Sequence, residues 1–170
     1  MHNLLRCRRG SAAFATVIAL VPLIGVVALG GEAGSWYVTK QHAQNAADAA
    51  AISGALRLAC SISGSSTCDT QDYVYRGKQF AAQNAFCNAG DSSYPGSNCA
   101  SLPTGTARTV QIDQPTSSSV RAIVSQQQPA YLAALLGLST VNIGATAIAQ
   151  VQNPKELCGL GLGRWPSRLC

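Results

Sequence analysis

The chain is 170 residues long with a formal net charge of +5, which bounds it to one modest domain plus an appendage. Charged residues make up only 11%, against about 25% in an ordinary soluble domain, and the mean hydropathy is positive at +0.14. That balance excludes a uniformly solvated globule.

The excess charge sits at the two ends. Arg6, Arg8 and Arg9 precede the first apolar stretch, and Arg164 and Arg168 close the sequence. Between them Lys40, Arg57, Arg76, Lys78, Arg108, Arg121 and Lys155 are balanced by Glu32, Asp48, Asp69, Asp72, Asp91, Asp113 and Glu156. Phosphate binding needs cations clustered on one face. Here they are scattered singly, so no nucleic-acid partner is expected.

Residues 11–31, SAAFATVIALVPLIGVVALGG, carry no charge. As a helix they would extend about 31 Å, matching a hydrocarbon core of roughly 30 Å. Pro22 near the middle frees a carbonyl and predicts a kink that a membrane segment tolerates. Arg6, Arg8 and Arg9 place the stub 1–10 in the cytoplasm, with the rest of the chain outside. The rival expectation is a signal peptide cut near Ala28-Leu29-Gly30. The apolar stretch is longer than a usual signal core, and a helical pattern continues beyond it, so a retained anchor with membrane lipid as partner is expected. Cys7 precedes the apolar stretch rather than following it, which excludes a lipidation box.

Beyond the anchor, Glu32 begins a stretch in which Trp36 and Tyr37 stand where interfacial aromatics anchor a helix. From Ala43 to Ala59 the sequence is dominated by alanine, the strongest helix former, with Ser53 and Gly54 adding small surface. A small-residue face lets another element come close. It serves either the domain's own sheet or neighbouring subunits.

The stretch from Arg8 to Ala55 resembles the N-terminal region of TadG-like (TadE/TadG-like) components of Flp (Tad) pilus assembly. The resemblance rests on the basic run and Gly10, the apolar segment with Pro22, Glu32 ahead of the Trp36-Tyr37 pair, and a block containing Gln44, Ala46, Ala47, Asp48, Ala49, Ala50 and Gly54. Prepilin-like relatives carry Glu five residues after their cleavage glycine. Here that place holds Ala15, so cleavage after Gly10 is not expected. The resemblance implies an inner-membrane component with a periplasmic or extracellular pilin-like domain. Its partners would be other pilus-assembly membrane components or pilin-like subunits. Glu32 then stands as a candidate for setting register at the membrane edge, against the plainer role of an interfacial acid.

The extracytoplasmic region, residues 32–152, reads as α+β. Asp69 is expected to cap a second helix over QDYVYRGKQFAAQNAF, with Asp72 in its first turn. Tyr73, Gly77, Phe80, Ala81 and Asn84 share one side of that helix. Val110 and Ile112 alternate in one strand, and Val120, Ala122 and Val124 in a second. Pro129 is placed to open a short helix, AYLAALLGL. Val141, Ile143, Ala145, Ala147, Ala149 and Val151 keep a strict period of two in a third strand. The result is one long helix, two short ones and about three antiparallel strands. The same order of features in TadG-like chains extends the resemblance to roughly residues 9–151.

Seven cysteines leave six outside once Cys7 is assigned to the cytoplasm. Cys60 with Cys68 and Cys87 with Cys99 each bracket a loop of turn-forming residues and are expected to staple it. Cys158 with Cys170 is a further possible pair. None of the separations is CxxC-like, so no metal is expected.

No HExxH, Gly-x-Ser-x-Gly or phosphate-cradling motif occurs, and His42 is the one imidazole beyond the anchor. No enzyme activity, cofactor or small-molecule substrate is therefore expected. The tail 153–170 changes character to Gly, Arg and Trp without a readable element. It suggests an interrupted reading frame or a short docking tail. The function expected is structural, in Flp-type pilus assembly. The alternative is a secreted or surface-tethered ligand-binding module released by signal-peptide cleavage.

Overall fold

The computed structural model describes residues 8–64, 66, 68–91, 93–99 and 101–152. Arg6, Cys7 and the tail with Cys158 and Cys170 lie outside the described residues. A single helix, α1, runs from Arg8 to Ser63 and passes through Pro22 without ending. Its first part carries one window apolar and long enough to cross a membrane, with mean hydropathy 2.6 and none of it buried. Its second part is the spine of a domain completed by α2 (Tyr73–Gln83), β1 (Ala107–Thr116), β2 (Ser119–Pro129) and β3 (Thr140–Gln150). The strands form one antiparallel sheet in the order β1-β2-β3, and the class is α+β.

Alternation along the strands makes the sheet two-sided. Val110, Val124 and Ala145 lie side by side across the three strands, as do Ile112, Ala122 and Ala147. These face the helices, as an antiparallel sheet with one covered side requires. Against them α1 buries Ala43, Ala46, Ala47, Ala50, Ala51, Ala55 and Leu58. The largest fully buried side chains are only Phe86, Val120 and Val124, so closeness replaces bulk in this core. The opposite side of the sheet is polar, with Arg121 pairing with Asp113 and the Thr109 and Ser125 hydroxyls 2.6 Å apart.

Two glycines permit the close approach. A methyl group at Gly54 would sit 2.9 Å from Val120 Cγ1 and 3.2 Å from the carbonyl oxygen of Tyr73. One at Gly77 would come within 3.0 Å of Ile112. Gly77, which weakens the helix on propensity alone, is thus the point where α2 meets β1.

Several expectations are corrected at the edges of elements. The side chain of Asp72, not Asp69, caps α2, accepting from the Tyr75 N–H at 2.6 Å. Asp69 instead accepts from the Gln71 N–H and pairs with Arg57 and Arg76. The side of α2 that meets the core agrees in part, because Gly77 and Ala81 are buried together with Gln79 and Ala82 and Tyr73 packs against the core, whereas Phe80 is 38% exposed. The buried aromatic is Phe86. It follows a Schellman-type ending in which Ala85 adopts φ +65° and the Phe86 N–H returns to Ala81 O at 2.9 Å. Pro129 ends β2 rather than opening a helix, and only the 3-10 turn Ala133–Leu136 forms after it.

The paired cysteines agree with the expectation. Cys60 and Cys68 lie at disulfide distance with Cα atoms 5.9 Å apart, and Cys87 and Cys99 do so at 6.1 Å. Each closed loop is worth on the order of 3 kcal/mol, which matters in a core this poor in large side chains.

Two ion pairs lend stability that depends on pH. A hydrogen bond from Arg76 holds the Asp69 carboxyl below the usual carboxylate range, and one from Arg121 does the same for Asp113. Depressed carboxylates stabilise above their unfolded pKa and lose that contribution as pH falls through the folded value. Solvent screening keeps both contributions small.

The close approach at Gly54 gives a direct expectation. Gly54→Val should destabilise the domain by about 1–3 kcal/mol through overpacking against Val120 and the Tyr73 carbonyl. Thermal unfolding of the full chain in detergent micelles should show a midpoint lowered by several degrees. An unchanged midpoint would remove the close approach from the account.

Candidate functional site along the long helix

The sequence candidates distribute over two sides of α1. Ala46, Ala47, Ala50 and Gly54 are buried against the chain's own sheet. The alanine face is covered from within the chain. Gln44, Asp48 and Ala49 lie towards the outside, where the Gln44 amide donates to Asp48 Oδ1 at 3.0 Å along the helix. His42 is exposed. Among the described residues no group of three or more His, Cys, Asp or Glu comes together.

Arg8 and Arg9 open α1, while Pro22 is exposed within it. Trp36 is half-buried and Tyr37 exposed, one turn beyond Glu32.

Glu32 is where the structure departs most from the sequence. It is half-buried, and its carboxylate reaches across to the connection between β2 and β3. There it accepts the backbone N–H groups of Tyr131 at 2.6 Å, Leu132 at 3.1 Å and Ala133 at 3.0 Å. The 3-10 turn has Leu132 at its N-cap position and no side-chain cap of its own. Such a turn leaves orphan N–H donors, and an acceptor carrying negative charge suits them well. Glu32 supplies it from about a hundred residues away.

The same end of the sheet is tied to α1 by two further contacts. Thr39 Oγ1 meets Gln128 Oε1 at 3.5 Å, and the Lys40 ammonium donates to the Gly144 carbonyl of β3. Below them Glu32, Ser35, Trp36, Pro103, Gln128 and Tyr131 border a cavity of about 170 Å³. The far end of the sheet docks beside Gly54, where Val120 meets the helix. The hairpin therefore lies along α1 with its β2–β3 connection at the level of the last apolar residues.

Residues 10–57 match the model of the family described as "Putative Flp pilus-assembly TadE/G-like". The match supports involvement in Flp/Tad pilus assembly. No curated protein and no solved structure matches the chain. The TadE/G-like segment holds Pro22, Glu32, Trp36, Tyr37 and the Gln44–Gly54 block, and it ends at Arg57. The resemblance over the second half rests on the order of its elements alone.

The clamp makes a measurable demand on Glu32. Glu32→Ala leaves three N–H groups without their charged acceptor, a loss of about 1–3 kcal/mol of local stability. Hydrogen exchange at the amides of Tyr131, Leu132 and Ala133 should accelerate by about tenfold or more, while those of Val120 to Val124 stay protected. Unchanged exchange at all three would show that the carboxylate does not hold the turn.

Proposed function

We propose that this chain is a structural component of Flp/Tad-type pilus assembly. Residues 11–31 anchor it in the bacterial inner membrane, residues 1–10 lie in the cytoplasm, and the domain 32–152 stands in the periplasm or outside the cell. The observation that carries this reading is the TadE/G-like match over residues 10–57. It falls on one continuous helix that is both the apolar segment and the domain's spine.

Three features support the details. The apolar window is uncovered along its whole length, as a lipid-facing helix needs to be. The basic residues Arg6, Arg8 and Arg9 flank it on the side that stays inside. The helix also runs without a break through Ala28, Leu29 and Gly30, where the signal-peptide alternative would cut.

The role is mechanical rather than catalytic. The sheet covers the alanine face, so lateral contact with other pilus-assembly components falls to the outward side of α1. Tyr37, Val38, Ile52, Leu56 and Ile62 are exposed there. Packing of that side against pilin-like subunits needs no cofactor and no small-molecule substrate.

Deleting the gene should abolish pilus assembly. The full tagged chain, extracted from membranes in mild detergent, should co-purify with other pilus-assembly membrane components. Recovery of the chain in the medium, with pili unaffected by deletion, would contradict this reading and favour the secreted module.

A further inference from the structure

The β2–β3 connection, residues 130–139, combines exposed apolar side chains with a backbone in which seven N–H groups have partners within the protein. Tyr131 is 76% exposed, Leu135 83% and Leu138 55%. The N–H groups of Tyr131, Leu132 and Ala133 go to Glu32. Those of Ala130, Leu135, Gly137 and Leu138 go to carbonyls within the same connection or at its base. No charged residue occurs between Arg121 and the end of the described chain at Gln152.

Exposed leucines on a solvated loop are ordinarily spaced among charges, and the loop's N–H groups are ordinarily left to water. Here charge is absent, and seven of the loop's N–H groups have partners within the protein. Each N–H paired within the protein lowers the cost of entering a medium poor in water. An apolar surface with an aromatic at its rim suits the boundary between headgroups and acyl chains.

Position decides which apolar medium is at hand. Glu32 directly follows the uncharged run 11–31, and it holds the connection at its own level on α1. The exposed Tyr37 lies a little over one turn further on, so Tyr37 and Tyr131 form two aromatics near one height.

We propose that the β2–β3 connection is a membrane foot. Tyr131, Leu135 and Leu138 rest in the outer interface of the bilayer that the apolar half of α1 crosses, and Glu32 fixes the foot to the helix. The domain then stands on the lipid at two places, the helix and the foot, which sets its tilt and the side it turns to a neighbour. The proposal rests on the membrane-anchor reading above.

The test uses the full chain reconstituted into vesicles of phosphatidylethanolamine and phosphatidylglycerol, with and without brominated acyl chains. Single tryptophans are added by Val21→Trp in the apolar helix, Leu135→Trp in the foot and Ile148→Trp on the sheet. Ile148 is 61% exposed and pairs with Arg121 near the far end. The quenching of each is read as the difference from the parent protein.

Quenching at positions 21 and 135 but not at 148 is the expected result. Quenching at 21 with none at 135 overturns the foot and leaves the anchor standing. No quenching at 21 overturns the anchor and the foot together. Equal quenching at 135 and 148 also overturns the proposal, because the whole sheet then lies on lipid. Leu138→Trp repeats the reading should Leu135→Trp fail to reach the vesicles folded.

Discussion

Because Ala43, Ala46, Ala47, Ala50, Ala51 and Gly54 present nothing larger than a methyl group along one side of α1, β2 can lie almost against the helix backbone. Val120, Ala122 and Val124 fill the narrow space that remains, and all are fully buried. Everything else in the domain is arranged around that contact. The sheet must be antiparallel and one-sided, since only one face meets the helix. The second helix meets β1 closely at Gly77, and Phe86, the one fully buried aromatic among the described residues, follows the turn at Ala85. A core so shallow gains little from each residue, which gives the two cysteine-closed loops their weight.

The same helix that supplies this wall also supplies the apolar segment, so the domain is built directly onto that segment. Glu32 stands at the join. Its carboxylate collects three backbone N–H groups from the β2–β3 connection, with Thr39 and Lys40 adding contacts a turn or two further along. The hairpin is thereby held parallel to the helix rather than hinged from it. A lateral load on the outward side of α1 is passed to the sheet at both ends, by the Glu32 clamp at one and by the Gly54–Val120 contact at the other.

Much of this was legible in the residues because it is written in local periods. The alternation from Val141 to Ala149 predicts β3, and its partners Val110, Ile112, Val120, Ala122 and Val124 mark the covered face in the same way. The Cys60–Cys68 and Cys87–Cys99 loops follow from turn-forming residues between closely spaced cysteines. What local pattern misses is anything decided by a distant partner. Asp69 reads as the helix cap with Asp72 in the first turn, yet Asp69 pairs with Arg57 and Arg76 and the cap falls to Asp72. Phe80 has the helical spacing of a core residue, yet α2 buries Gly77, Gln79, Ala81 and Ala82 and leaves Phe80 partly exposed. Pro129 fits a helix start as well as a strand end, and pairing with Thr140 decides for the strand. Glu32 shows the same limit at the site itself: its place at the end of the apolar run marks it, but the three amides it holds lie a hundred residues on.

The central claim is that the alanine face of α1 is the inner wall of its own domain and not a seam between subunits. Methyl nuclear Overhauser effects in bilayer nanodiscs test this most directly. The sample mixes two full chains, one labelled only at alanine methyls and the other only at valine methyls, and a separate control consists of a doubly labelled chain carrying both. The account predicts strong contacts from Ala46, Ala47 and Ala50 to Val120 and Val124 in the doubly labelled chain and none in the mixture. Contacts that appear in the mixture, between alanines of one copy and valines of another, would contradict it.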